Sequence, residues 1–172
     1  MAKGIPAGNA LMEVVDDFGD WYRAEHPALL AAVALLTGDL DSARDITAEA
    51  FSIALERWAD VAAMANPVGW TYVVAVNLAR RRWRRRLRER LAFGRLAEPT
   101  VPFGPDSRLD VYRAVRALPD RARLAVVLRY FGGLSEAEVA EAMGVAVGTA
   151  SATLTTARRR LSVLLTEEVP LD

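Results

Sequence analysis

The chain has 172 residues, of which 52% are apolar, so it can bury the core of one medium domain or two small ones. It contains no cysteine, which excludes disulfides, zinc–thiolate sites and cysteine nucleophiles. No apolar run follows the start as in a signal peptide, and the longest, residues 28–36, is too short to span a bilayer. We therefore expect a soluble cytoplasmic protein.

The net charge of zero hides a strong segregation of charge along the chain. Residues 1–79 carry a net charge of −7, whereas residues 80–90 carry eight arginines and one glutamate. Such a dense cluster repels itself and favours an anionic partner. Nucleic-acid phosphates fit best, because arginine binds them through two hydrogen bonds. Acidic residues of this chain or an acidic partner protein are the alternatives.

Helical periodicity without strand-like alternation predicts an all-α fold. We expect helices over residues 10–25 and 27–36, the second with Pro27 in its first turn. A third is expected over 42–58 with Asp41 as its N-cap, and a long fourth follows Asn66-Pro67 to about residue 91.

Residues 93–107 hold three of the eight prolines and two glycines, which predicts a linker. We therefore expect two small helical domains, over residues 1–92 and 108–172. The second begins with a helix over 108–117, a break at Pro119 and an apolar helix to 131.

The C-terminal pattern is typical of a helix-turn-helix. Ser135 and Glu138 form a capping box for a helix to Met143, Gly144 makes the turn, and a last helix spans 147–165. The apolar residues that could lock the two helices together are Leu134, Val139, Ala140, Met143, Val145, Ala150, Leu154 and Leu161. The motif favours DNA binding, although any helical hairpin with a glycine turn shares the pattern.

Residues 128–161, LRYFGGLSEAEVAEAMGVAVGTASATLTTARRRL, resemble the promoter −35-reading domain of extracytoplasmic-function (ECF) sigma factors. Two earlier stretches resemble that family's region facing polymerase and the −10 element: PALLAAVALLTGDLDSARDITAEAF from Pro27 and NPVGWTYVVAVNLARRRWRRR from Asn66. The resemblance covers roughly residues 18–165. It implies a promoter-specificity subunit that binds the clamp and flap of core RNA polymerase, promoter DNA and, in the family, an anti-sigma protein.

The resemblance implies that Asp45, Glu49 and Phe51 bind the coiled-coil clamp of the largest polymerase subunit. Asp45 and Glu49 are four residues apart, so both carboxylates share one helix face. Ala48 replaces the glutamine that is usual in the family and removes a hydrogen-bonding side chain. Without the resemblance, a solvated acidic helix face would be the simpler interpretation.

The resemblance places the −10 contacts on the fourth helix, with the preceding loop helping to open the DNA. The implied residues are Trp70, Tyr72, Asn77, Arg80, Arg81, Arg84 and Arg85. An aromatic face can stack on an unpaired base. A place for Trp70 in the core is the equally good alternative.

The implied −35 contacts lie on the last helix: Thr149, Ser151, Thr153, Thr156, Arg158 and Arg159. This helix departs from the family, because Ala146 stands where family members usually have a capping serine, and Ser151 stands where they usually have a lysine. Short hydroxyls discriminate bases poorly, and the arginines lie two to three turns into the helix, nearer to phosphates. We therefore expect weak or altered −35 recognition, with most specificity from the −10 region and polymerase.

Two other non-enzymatic functions are compatible with the sequence. One is a degenerate sigma-like protein that binds polymerase or a regulator with little −35 reading; the other is a stand-alone helix-turn-helix regulator. The only histidine, His26, has no nucleophile or metal-ligand cluster around it in the sequence. We expect no catalytic residue, cofactor, metal site or membrane partner.

Overall fold

The computed structural model describes residues 8–93 and 108–167, and every element in them is helical. The N-terminal half holds α1 (Gly8–Thr37), α2 (Leu40–Glu56), α3 (Trp58–Ala62) and α4 (Pro67–Phe93). The C-terminal half holds α5 (Arg108–Ala117), α6 (Asp120–Val126), a π-helical turn (Val127–Phe131), α7 (Glu136–Met143) and α8 (Val147–Glu167). The predicted linker lies, apart from its first residue, outside the described residues.

The predicted break before Pro27 is wrong, because α1 runs through this residue without interruption. Proline has no N–H to donate to the carbonyl four residues earlier, which normally ends or kinks a helix. Tertiary packing compensates on both sides of it. Trp21, six residues before Pro27, packs against Phe51 and Trp58, and Leu29, two residues after it, lies in the core. The helix is therefore held by its neighbours rather than by its local sequence.

The predicted N-cap of α2 is also wrong by two residues. Asp39, in extended conformation, accepts hydrogen bonds from the backbone N–H groups of Asp41 and Ser42, both at 3.3 Å. Asp41 instead lies in the first turn, where its negative charge interacts favourably with the helix dipole. The helix ends at Glu56, and Trp58, predicted as its last residue, begins the short α3.

The remaining helix starts follow the sequence signals. Asn66 accepts a hydrogen bond from the Gly69 N–H at 2.8 Å and so caps α4. The capping box of α7 is present, with Glu138 accepting from the Ser135 N–H at 2.8 Å. Gly144 takes the left-handed conformation (φ +67°) that the turn into α8 requires.

The two halves pack against each other through three apolar clusters, each of which takes one buried residue from the other half. Val127 joins the cluster formed by α1, α2 and α4. Val76 of α4 joins the helix-turn-helix cluster, which contains Val139, Ala150 and Leu154. Leu35 of α1 is fully buried among residues of α5, α6 and α8. Separating the halves would therefore expose apolar side chains.

Hydrogen bonds also join the halves. Asn66 Nδ2 donates to the Gly132 carbonyl at 3.1 Å. Arg123 donates to the Leu35 carbonyl at 3.4 Å and, within its own half, to the carbonyls of Arg116 and Leu118 at 2.9 Å. Burial lowers the pKa of the Arg123 guanidinium. Along the residues described, no helix is both long and apolar enough to cross a membrane.

Candidate nucleic-acid interface

Asp45 and Glu49 are exposed on one face of α2, as their spacing predicts. Arg82 of α4 bridges them, with one guanidinium nitrogen 3.0 Å from Asp45 Oδ2 and another 3.2 Å from Glu49 Oε2. Phe51, predicted as a contact residue, is 3% exposed and packs against Trp21, Tyr22 and His26. Its side chain supports this face from the core and is not part of the surface.

Trp70, Asn77 and Arg80 lie along one side of α4 and line a groove of about 810 Å³. The facing wall belongs to the helix-turn-helix and includes Glu138, Glu141, Ala142 and Met143. Because the groove lies between the halves, the helix-turn-helix covers part of the α4 face predicted to meet −10 DNA.

Specific contacts hold the α4 side of this groove. Arg80 donates to the Ala142 carbonyl of α7 at 2.7 Å. The Arg57 guanidinium lies 5.4 Å from the centroid of the Trp70 ring, a distance typical of a cation–π contact. A Cβ on Gly69 would approach the Gly132 carbonyl to 2.9 Å, so only glycine allows this close packing of the halves. Trp70 is half-buried in the groove wall and is absent from the apolar clusters.

The other predicted −10 residues differ in their placement. Tyr72 is 2% exposed in the N-terminal core, and this burial raises the pKa of its phenol. It therefore cannot present its ring at the surface in this arrangement, which corrects its prediction as a direct contact. Arg81 is exposed, whereas the side chains of Arg84 and Arg85 lie outside the described part of the structure.

The predicted −35 residues all reach the surface of α8. Thr149, Thr156, Arg158 and Arg159 are exposed, and Ser151 and Thr153 are half-buried. The Ser151 hydroxyl donates to the carboxylate of Glu136 at the start of α7. The Thr153 hydroxyl donates to the Thr149 carbonyl at 2.7 Å. Two of the hydroxyls are thus already hydrogen-bonded within the protein.

The sequence did not single out Arg82, Glu136 or Asn66 as interface residues. Arg82 lies in the arginine cluster, for which acidic residues of this chain were one of the predicted partners. Asn66 carries a cap signal and Glu136 is an acidic residue in the first turn of α7, and neither feature reveals contacts with a distant segment. Only the packing of α4 on α2, of α7 on α8 and of the two halves brings these residues to their partners.

Comparisons with known proteins match both halves. Sigma-70 region 2 matches residues 21–89, and Sigma-70, region 4 matches residues 108–161. An ECF RNA polymerase sigma factor, EcfG, of Rhodopseudomonas palustris is 31% identical over 90% of this chain and 88% of its own. RNA polymerase sigma-E factor of Streptomyces coelicolor is 27% identical over 87% of this chain and 86% of its own.

A solved structure supports the same assignment. The sigma factor RpoE of Bartonella quintana, crystallised in complex with the anti-sigma factor NepR, is 25% identical, with a TM-score of 0.74. The match covers 90% of this chain and all of that one. Because both sigma regions match in the expected order, a degenerate interaction module and a stand-alone regulator are not favoured. The chain belongs to the ECF sigma factors, the subunits that bind RNA polymerase and direct it to promoters to initiate transcription.

Proposed function

We propose that this sigma factor binds the clamp of core polymerase through Asp45 and Glu49 of α2. The observation that carries the proposal is the exposure of both carboxylates on one helix face, 69% for Asp45 and 47% for Glu49. Such a pair offers acceptors to basic residues of a partner and steers its approach. Ala48 is exposed between them and adds no polar group.

Arg82 forms ion pairs with these carboxylates in the free protein, so it competes with the clamp for them. Ion pairs between exposed groups are weak, roughly 0–1 kcal/mol each, and a basic partner can replace them at little cost. Polymerase binding then releases Arg82 from α2 and adds its charge to the basic end of α4.

We further propose that residues 1–92 and 108–172 act as two domains that separate when the promoter is bound. The α4 side of the groove carries Trp70, Asn77 and Arg80, which suit a −10 element with unpaired bases: one ring to stack, one amide to bond a base edge and one cation for phosphate. In the closed arrangement, α7 occupies part of this space, and Arg80 is bonded to Ala142. Opening would release both constraints.

The helix-turn-helix would then place α8 at the −35 element and the C-terminal domain at the polymerase flap. Arg158 and Arg159 supply charge for phosphates, while Thr149 and Thr156 supply short polar groups. Ala146 offers no side-chain acceptor for the first turn of α8. This composition supports a −35 contact that contributes less to specificity than the −10 contact.

An anti-sigma partner is the last element of the proposal. The supporting observation is the likeness, at a TM-score of 0.74, to a sigma factor bound to the anti-sigma factor NepR. Because a sigma factor acts where RNA polymerase works, we place this protein in the cytoplasm.

The clamp contact is tested by binding fluorescently labelled full-length protein to core polymerase without DNA. The double variant Asp45→Asn with Glu49→Gln should lose most of its affinity. Glu56→Gln, an exposed carboxylate on the same helix, is the matched control and should leave it unchanged. Equal affinity for the double variant and the wild type would contradict the proposed docking face.

A further inference from the structure

The helix predicted to read the −35 element has a carboxylate set against its second turn. The Ser151 hydroxyl donates to Oε2 of Glu136, and Oε1 of the same carboxylate lies 3.9 Å from an Arg158 guanidinium nitrogen. The Glu136 side chain is 38% exposed, so it is open to solvent beside Ser151. One residue of α7 therefore sets the hydrogen-bonding state of a reading residue on α8.

This contact decides what Ser151 can offer to DNA. A hydroxyl has one proton and two acceptor sites, whereas an ionised carboxylate only accepts. Because the Ser151 hydroxyl donates its one hydrogen bond to Glu136, it can offer DNA only acceptors. Glu136 also presents only acceptors, and its charge holds the nearby donor Arg158.

A second reading position has the same polarity. The Thr153 hydroxyl donates its hydrogen bond to the carbonyl of Thr149, so its oxygen too can serve DNA only as an acceptor. The predicted reading residues of α8 therefore differ from the family in more than the length of their side chains. In the first two turns of this helix, Ser151 and Thr153 present acceptors, whereas a lysine at position 151 would supply a donor.

We propose that Glu136 and Ser151 form a reading pair that accepts a hydrogen bond from an exocyclic amino group in the −35 major groove. Adenine N6 and cytosine N4 are the amino donors there, whereas guanine and thymine present O6 and O4 as acceptors. The pair therefore selects adenine or cytosine at one position and disfavours guanine and thymine. The inference rests on the proposed docking of α8 at the −35 element.

The contact also explains how an acidic residue is tolerated on a DNA-facing surface. Glu136 repels phosphates, but a base edge that donates a hydrogen bond to it offsets this repulsion at the selected site only. Repulsion elsewhere makes the pair a specificity device, since it weakens binding to wrong sequences more than to the right one.

The test uses the complete holoenzyme, formed from this chain and core polymerase, and promoter duplexes recovered by it from a random library. At each adenine or cytosine of the −35 element, the base is replaced by purine or by pyrimidin-2-one, which lack only the exocyclic amino group. Affinity is measured for the wild type, Glu136→Gln and Ser151→Ala, with Glu141→Gln as the control. Glu141 lies on the same helix but lines the groove toward Trp70.

At one position, loss of the amino group should weaken the wild type and Glu141→Gln by about fivefold, the effect of one net hydrogen bond. Ser151→Ala should show a smaller penalty, because the Glu136 carboxylate alone is left to accept the hydrogen bond. Glu136→Gln should show a reduced one, because its amide can donate to Ser151 and free the hydroxyl proton.

Three results separate the possible failures. A holoenzyme that is sensitive to the −35 sequence but never to the amino group overturns the inference and leaves the −35 contact standing. In a second result, Glu136→Gln binds all sequences more tightly and still loses the same affinity as the wild type when the amino group is removed. That result would show that Glu136 only repels phosphates, and it too would overturn the inference. Binding that is insensitive to the whole −35 element refutes the proposed docking of α8 and the inference together.

Discussion

Leu35→Ala should shift this sigma factor toward an open arrangement of its two halves. Leu35 belongs to α1 but is fully buried in a cluster whose other buried members, Val115, Leu118, Ala122, Val126 and Ala157, lie in the C-terminal half. Opening would transfer the Leu35 side chain from this cluster to water, so truncating it removes part of the cost of opening.

The size of the effect follows from the carbon atoms removed. Leucine has three more side-chain carbons than alanine, and each buried methylene contributes about 0.8 kcal/mol. The closed arrangement should therefore lose about 2 kcal/mol relative to the open one, which is roughly a 30-fold shift in the equilibrium. The polar contacts of Asn66 and Arg123 between the halves are retained in this variant.

Energy transfer between two dyes measures this shift. The chain has no cysteine, so Glu56→Cys and Ser162→Cys place one label on an exposed site of each half. Leu35→Ala should lower the transfer efficiency of the free protein and increase its affinity for core polymerase with promoter DNA.

Leu29→Ala is the matched control, because it removes a leucine of the same helix from the cluster formed mainly by the N-terminal half. Both variants should lose about 2–5 kcal/mol of unfolding free energy. Only Leu35→Ala should change the transfer efficiency and the affinity. Identical values for the two variants would refute the argument that the halves must separate.

Three further predictions concern single contacts. Arg82→Gln should bind core polymerase about fivefold more tightly, because it removes roughly 1 kcal/mol of ion pairs that compete with the clamp. Arg81→Gln, a change at an exposed arginine beside it, should leave the affinity unchanged. Weaker binding by Arg82→Gln would mean that Arg82 positions the carboxylates for the clamp. Ser151→Lys combined with Thr156→Arg should tighten promoter binding in a gel-shift assay and steepen its salt dependence by roughly 0.9 per added phosphate contact, and no gain would contradict the account of a depleted reading helix. Glu138→Ala should lower the free energy of unfolding at neutral pH by about 1 kcal/mol, because the Ser135 N–H loses its carboxylate acceptor while the Ser135 hydroxyl cap remains. Glu138→Gln should retain most of this free energy.

The capping box also gives a pH dependence with a defined sign. Hydrogen bonds from Ser135 lower the pKa of Glu138 in the folded protein. A lowered folded pKa contributes stability that is complete above the ordinary glutamate pKa and is lost as the pH falls through the lowered value. The difference between the wild type and Glu138→Gln in thermal melts should therefore shrink on acidification through that range, and a difference that grows would contradict the assignment.

Local sequence signals predicted the elements whose causes are local. The Asn66 cap, the Ser135–Glu138 box and the left-handed Gly144 each act within one helical turn, and the structure confirms them. Pro27 shows the limit of such signals, because the packing of Trp21 and Leu29 on other helices keeps α1 continuous.

The exposure of candidate site residues depends on tertiary structure, so the sequence predicted it only in part. Helical spacing placed Asp45 and Glu49 on one outer face, as observed. It could not distinguish Phe51 and Tyr72, which are buried, from Trp70, which lines the groove. That distinction requires the direction from which the core approaches each helix.

Contacts between distant segments were beyond reach of the sequence patterns. Arg82 with Glu49 and Asn66 with Gly132 are separated by 33 and 66 residues, respectively. Composition placed opposite charges in different parts of the chain, but only the crossing of α2 and α4 selects which arginine meets which carboxylate.

Run-off transcription with core polymerase on genomic fragments distinguishes a sigma factor that starts transcription from a protein that only binds polymerase. We expect transcripts that depend on this protein and start at promoters with a shared −10 element. The double variant Asp45→Asn with Glu49→Gln should abolish them, and Glu56→Gln should not. Binding of the protein to polymerase without any dependent transcript would contradict the claim that it directs initiation.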